Sequence, residues 1–200
     1  MPNPIDFYFD FSSPYGYFVA EKIDALALKY HRTVTWHPIL LGAVFKINNQ
    51  QPLPNIPLKG DYAKHDILRS ARWFKLPLKI PAKFPINTVT PCRAFYWVHD
   101  HDAAQARQFA LAAYRAYFAE DRDISSADVT LEVATLCGID KAALTAALND
   151  NAVKERTKNA VDAAIARGVF GSPYIVIDGE PFWGSDRLDQ VEAWLSKGRW

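Results

Sequence analysis

Two short stretches carry the residues whose types and spacing could do chemistry. In the first, Ser13-Pro14-Tyr15-Gly16 directly follows the apolar run Ile5-Asp6-Phe7-Tyr8-Phe9-Asp10-Phe11 and heads a segment with helical spacing. A strand that turns straight into a serine-capped helix puts a hydroxyl where unpaired backbone N–H groups and the positive end of the helix dipole converge, and such a place favours an anion. A serine cap followed by proline is also a routine helix start, stabilising by about 1 kcal/mol, so the motif needs a second element before it reads as a site. That element is Gly171-Ser172-Pro173-Tyr174-Ile175-Val176-Ile177-Asp178-Gly179-Glu180-Pro181-Phe182-Trp183-Gly184-Ser185-Asp186-Arg187-Leu188, which reads as a strand, an Asp-Gly turn, a second strand and a new helix start.

The five histidines and two cysteines add no further centre. His99 and His101 stand two positions apart in a helical stretch, so they point in different directions, and no acidic or cysteine partner completes a ligand set; no metal is expected. Cys92 and Cys137 share no CxxC spacing and fall in stretches that read as helix, so both are expected as small buried hydrophobes.

The elements that must position these groups follow from periodicity. Tyr15, Phe18, Val19, Leu26, Ala27 and Tyr30 recur near a period of 3.6, which predicts one amphipathic helix from Pro14 to Tyr30. Thr33 to Leu41 reads as a strand and completes a β-α-β unit. Gly42 to Pro57, with its polar run Asn48-Asn49-Gln50-Gln51 and prolines 52, 54 and 57, reads as a loop. From Asp61 to Arg167 the chain is mostly helical. Segments are expected at Tyr62–Phe74, from a Thr90-Pro91 start, at Gln105–Phe118, at Ser126–Leu136 and at Val153–Arg167, with a proline-rich stretch over Pro77–Pro91. Because the strands lie at the two ends of the chain, they must pair across this insertion. The expected architecture is α/β, a mixed sheet of about four strands built from residues 1–60 and 168–200, with residues 61–167 as an inserted helical lobe.

Composition bounds the partners. A chain of 200 residues that is 50% hydrophobic can bury about 70% of its unfolded surface, ample for one core. With 23 Lys+Arg against 22 Asp+Glu nothing steers it toward nucleic acid or an anionic membrane. No basic segment precedes an apolar stretch and a cleavage site at the amino terminus, and no apolar run approaches about 18 residues. A cytosolic protein with a small-molecule partner is the expectation.

Strand, then Ser13-Pro14-Tyr15-Gly16 on a helix N-terminus, then a distant Gly171-Ser172-Pro173 before a hairpin and Trp183-Gly184-Ser185-Asp186-Arg187, resembles the thioredoxin-like proteins related to the disulfide oxidoreductase DsbA. Serine in place of the first active-site cysteine is similar, within that group, to the kappa-class glutathione transferases and the 2-hydroxychromene-2-carboxylate isomerases. Phe9-Asp10-Phe11 and Phe182-Trp183-Gly184-Ser185-Asp186-Arg187-Leu188 are its specific parts. Glycine stands at position 16, where a second cysteine would be, so dithiol exchange is not expected.

The resemblance implies glutathione as cofactor and assigns residues to it. Only a few per cent of a thiol with a pKa of about 8.5 is thiolate at neutral pH, and Ser13 is the donor that would favour the charged form. Ser172 would pair its main chain with the cysteinyl part, ahead of a characteristically cis Pro173. Ser185 and the N–H groups at its helix start would hold the γ-glutamyl carboxylate while Asp186 takes the ammonium. Trp183 and Gly184 match further glutathione-contacting positions, and Lys59 matches a glutathione-side lysine of the kappa transferases. Lys46, Asn55 and Phe84 match substrate-contacting positions of the isomerases. Lys46 suits a substrate carboxylate, although an isolated lysine is as readily solvated, and Phe84 departs from the tyrosine expected there. The implied activity is a glutathione-dependent conversion of 2-hydroxychromene-2-carboxylate to trans-o-hydroxybenzylidenepyruvate in aromatic breakdown, by a homodimer acting on a small aromatic carboxylate. The alternatives are a kappa-like transferase or peroxidase and a non-catalytic DsbA-like binding module.

Overall fold

The computed structural model describes residues 3–200. Strand β1 (Ile5–Phe9) runs parallel to β2 (Val34–Pro38), with helices α1 (Pro14–Ala20) and α2 (Ile23–Lys29) between them. From the other end of the chain, β3 (Tyr174–Ile177) pairs antiparallel with β1, and β4 (Glu180–Trp183) pairs antiparallel with β3, giving the order β2-β1-β3-β4. The mixed four-stranded sheet therefore forms across the long helical insertion, as the placement of the apolar runs requires.

Side chains alternate along β1, so the sheet has two differently covered faces. Ile5, Phe7 and Phe9 face a large core together with Trp36, Ile175 and Ile177, and with residues of the inserted helices α5 (Val89–His99), α6 (Ala103–Phe118) and α7 (Ala127–Leu136). Tyr8 and Tyr174 belong to the opposite face, covered by Val44 of α3 (Leu41–Ile47), Ala164 of α9 (Asn151–Ala166) and Val169. Between sheet and lobe the packing is aromatic: Phe9 meets Phe95 edge-on at 5.8 Å, and Tyr17 stacks on Phe118 at 5.7 Å. Burying rings of this size contributes about 1.5–3 kcal/mol each, which ties the Ser13 end of α1 to α5 and α6.

Several boundaries differ from the sequence reading. β1 stops at Phe9 because the Asp10 carboxylate accepts from the Ser12 N–H at 2.7 Å and the Asp10 carbonyl from the Ser13 N–H at 2.8 Å, closing a turn. The helix expected over 14–30 breaks at Glu21-Lys22, where the Lys22 N–H tightens onto the Val19 carbonyl. Gly42 to Pro57 is not simply a loop, since it contains most of α3 and a 3₁₀ turn at Leu53–Asn55. Helix α4 (Lys59–Phe74) starts earlier than Tyr62, α5 is headed by Thr88 rather than Thr90, and α9 starts at Asn151. An additional helix, α8 (Lys141–Asn149), is capped by Asp140, whose carboxylate accepts from the Ala143 N–H. Ser185-Asp186 does not open the last α-helix: Ser185–Arg187 form a 3₁₀ turn and α10 (Leu188–Lys197) follows. Cys92 is buried in α5 as expected, whereas Cys137 ends α7 only half-buried.

Candidate active site

Ser13 is buried at the head of α1, and its hydroxyl has two partners. The Oγ accepts from the Gly16 N–H at 3.0 Å, satisfying one of the helix's orphan donors, and donates to the Ser172 carbonyl at 3.0 Å. The 13–16 turn and the 171–173 segment, 159 residues apart, are thus joined through a single hydroxyl. A second bond runs alongside, from the Asp10 N–H to the Ser172 Oγ at 2.9 Å. The Ser172-Pro173 peptide is cis, as is Phe84-Pro85.

Gly16 completes this junction by having no side chain. A Cβ there would lie 2.6 Å from the Tyr114 hydroxyl and 2.9 Å from the Ser172 Oγ. Neither neighbour is free to retreat, since the Tyr114 O–H donates to the Asp10 carbonyl at 2.9 Å and the Ser172 Oγ already holds the Asp10 N–H. The place of a second cysteine is therefore sterically closed as well as chemically vacant.

On the far side of Pro173, the Gly184 N–H donates to the Pro173 carbonyl at 3.1 Å, bringing the 183–186 segment to the junction. Gly184 has φ +111, a conformation that favours glycine, and the Asp186 carboxylate folds back over it. Ser185 is buried in the 3₁₀ turn, which packs against α1, while the Asp186 side chain is 72% exposed. Trp183 is 56% exposed, lies edge-on to Phe170 at 4.9 Å, and sets its indole N–H against Gly171. Ser13, Ser172, Pro173, Gly184 and Ser185 therefore form one connected cluster, with Trp183 and Asp186 at its open rim.

The other expected residues lie on separate elements. Lys46 is exposed on α3, Asn55 is exposed in the 3₁₀ turn before α4, and Lys59 is the exposed first residue of α4. α4 approaches α1 through the Tyr15 hydroxyl, which donates to Asp66 Oδ2 at 2.6 Å; Asp66 is also paired with Arg69, which reaches the Tyr62 hydroxyl at 3.0 Å. Burial and Asp66 push the Tyr15 phenol well above its ordinary pKa, so it stays neutral. Phe84 is half-buried with its ring edge-on to Phe118 at 6.3 Å, and two residues on the Ile86 N–H donates to the Ser12 Oγ at 3.1 Å, next door to Ser13. No bond links Lys46, Asn55 or Lys59 to Ser13 directly.

Asp10, part of the Phe9-Asp10-Phe11 motif but given no role from the sequence, lies at the centre of this junction. It is 3% exposed, its pKa raised to about 6 by burial against the lowering effect of bonds from Leu41, Ser12 and Thr88. The nearby Cys92 thiol is pushed up by burial and then by Asp10, which keeps it protonated and unreactive. Among the described residues, no group of three His, Cys, Asp or Glu side chains is placed to hold a metal ion, and no helix is long and apolar enough to cross a membrane.

A family model described as a DSBA-like thioredoxin domain matches residues 4–196. Over 195 residues the chain is 32% identical to a 2-hydroxychromene-2-carboxylate isomerase of Pseudomonas putida, an alignment covering 96% of this chain and 94% of that protein. It is also 27% identical to glutathione S-transferase kappa 2 of Caenorhabditis elegans over 212 residues, covering 98% and 94%. Among solved structures, a 2-hydroxychromene-2-carboxylate isomerase superposes with a TM-score of 0.86 at 30% identity, covering 98% of this chain and 95% of that one.

Proposed function

We propose, for a chain that belongs to the DsbA-like thioredoxin-domain family and within it to the 2-hydroxychromene-2-carboxylate isomerase family, that the protein is a glutathione-dependent isomerase converting 2-hydroxychromene-2-carboxylate to trans-o-hydroxybenzylidenepyruvate. The observation that carries this reading is the Ser13 hydroxyl, buried and shared at 3.0 Å between the α1 N-terminus and the Ser172 carbonyl, beside a glycine at position 16 where a side chain would crowd Tyr114 and Ser172.

The donor set fits glutathione. The tripeptide needs a main-chain partner for its cysteinyl unit, an N–H group for its γ-glutamyl carboxylate, an acid for its ammonium and a donor for its sulfur. Ser172, the 3₁₀ turn at Ser185, the exposed Asp186 and Ser13 offer these along one connected cluster, with Trp183 at its rim; Lys59 is assigned to the glutathione side by resemblance. Bound there, glutathione would supply a nucleophilic thiol for reversible addition to the conjugated double bond of the ring-opened substrate, and would be regenerated on elimination.

Ser13 has one hydroxyl proton, and in this structure it is committed to the Ser172 carbonyl. A ligand N–H that takes over that carbonyl releases the proton for a sulfur anion, and a charge-assisted bond is about twice as strong as a neutral one. The hydroxyl thus changes acceptor on binding while its cap to Gly16 is kept. Ser13 acts as a donor and not as a nucleophile, because no histidine or lysine is bonded to it to act as a base. The substrate carboxylate is met by Lys46, with Asn55 and Phe84 as the further substrate-side residues. In this reading the enzyme works in the cytosol as a homodimer, in the breakdown of aromatic compounds.

The test is an assay of extensively dialysed protein with 2-hydroxychromene-2-carboxylate, with and without added glutathione. Conversion only in its presence is expected, and equal conversion without it would overturn the reading.

A further inference from the structure

The Asp10 carboxylate gathers three segments that are remote in sequence. Its Oδ1 accepts from the Ser12 N–H at 2.7 Å, its Oδ2 accepts from the Leu41 N–H at 2.7 Å, and both oxygens lie 3.2 Å from the Thr88 hydroxyl. Ser12 precedes Ser13, Leu41 is the first residue of α3, and Thr88 heads α5 of the inserted lobe.

Each helix is unusual where Asp10 meets it. α3 is headed by Leu40, which has no side chain able to cap, and α5 by Thr88, whose hydroxyl makes no cap bond because it turns to Asp10 instead. Asp10 therefore supplies, from the end of the neighbouring strand β1, the cap that α3 lacks. Its main chain is equally committed, N–H to the Ser172 Oγ and carbonyl to the Tyr114 hydroxyl and the Ser13 N–H. The titratable groups nearest to it are Cys92, Tyr114 and Tyr117, all neutral, so the carboxylate is compensated by N–H and O–H donors alone. A buried carboxylate kept without a cation is expensive, and the three segments it joins are those that carry Ser13, Lys46 and the lobe wall.

We infer that Asp10 is the positioning residue of this site: its carboxylate holds α3, and with it Lys46, in fixed relation to the Ser13 turn and to the inserted lobe. The role of Lys46 rests on the isomerase reading; the tethering of α3 does not.

Two full-length variants test this. Asp10→Asn keeps one acceptor oxygen but turns an NH₂ toward either Ser12 or Leu41, so one tether is lost. Leu41→Pro removes the N–H that Asp10 holds, at a first helical position that accepts proline, after a Leu40 already extended at φ -112 and ψ 98; Leu41→Ala, which keeps that N–H, controls for the loss of the leucine side chain from the core behind α3. Loss of the charge-assisted bond to the Leu41 N–H predicts, in Leu41→Pro and in Asp10→Asn if its NH₂ turns to Leu41, hydrogen exchange of the remaining α3 amides faster by about tenfold and a KM for the chromene carboxylate higher by about tenfold. In Leu41→Pro, glutathione affinity and kcat should stay close to those of the parent, because the bonds of Ser13 and of the Asp10 main chain are untouched. Thr88→Val, which leaves both amide tethers, should leave α3 exchange unchanged. Parent-like α3 exchange in both tether variants would overturn the inference, as would a loss confined to kcat with unchanged KM. If the parent protein itself shows no turnover, the isomerase reading fails and the exchange measurement alone decides the role of Asp10.

Discussion

Replacing Gly16 by alanine should destabilise the protein, although intrinsic preference argues the other way. Gly16 lies inside α1, where alanine is favoured over glycine by about 1 kcal/mol. Against this, the new methyl would sit 2.6 Å from the Tyr114 hydroxyl and 2.9 Å from the Ser172 Oγ, well inside contact distance. Relief requires one of these groups to move, and moving either breaks a 2.9 Å bond to the Asp10 main chain. A broken buried bond costs about 1–3 kcal/mol when a partner is left unsatisfied, and overpacking adds a similar amount. Offsetting the helical gain leaves a net loss of about 1–5 kcal/mol, or a fall in Tm of several degrees at about 2–4 °C per kcal/mol for a chain of this size. Urea unfolding followed by circular dichroism measures it. A Gly16→Ala protein as stable as the parent, or more so, would refute the reasoning, and with it the claim that position 16 is closed to a second cysteine.

Ser13→Ala should leave the fold standing, since the cap is worth about 1 kcal/mol, but raise the thiol pKa of bound glutathione by about 1–2 units, the equivalent of a charge-assisted bond of about 1.5–3 kcal/mol; titrating thiolate absorbance of the complex checks it, and an unchanged pKa removes Ser13 from the chemistry. Asp186→Ala should weaken glutathione binding only about two- to fivefold, because the carboxylate is 72% exposed and an exposed ion pair contributes up to about 1 kcal/mol; calorimetry showing equal affinity would exclude it as the ammonium partner. Asp10 has a folded pKa of about 6 against 3.8 for the free side chain, so between those values the folded state binds the extra proton and stability falls as pH rises. The loss is about 3 kcal/mol, complete above pH of about 6. Asp10→Asn should flatten that slope in unfolding experiments from pH 4 to 7, and an identical slope would place the titration elsewhere.

The parts of the site that were legible in the sequence are local ones. Ser13 caps its own helix through a residue three positions on, Pro14 fits the first turn, and Asp178-Gly179 joins two short apolar strands; each depends on neighbours in the chain, which spacing reports. What escaped is held together at a distance. α3 lacks a cap of its own and gets one from Asp10, 31 residues away, so Gly42 to Pro57 looked irregular. Asp10 itself sits in an apolar run between Phe9 and Phe11, and nothing local marks it as the acceptor for Thr88, 78 residues on. The break between α1 and α2 was hidden for a related reason: the apolar period continues through Glu21-Lys22 while the backbone does not. At the other end, a 3₁₀ turn at Ser185–Arg187 has the same cap residues as an α-helix start and differs only in its hydrogen bonding.

Counting turnovers per glutathione tests the proposed chemistry most directly. Purified protein is given a large excess of 2-hydroxychromene-2-carboxylate and a limiting amount of glutathione; product is followed by absorbance and free thiol is titrated when the reaction stops. A thiol that adds and leaves predicts many product molecules per glutathione, with the full amount of free thiol recovered. Product that halts at one per glutathione, with the thiol lost, would contradict isomerisation and identify a transferase instead.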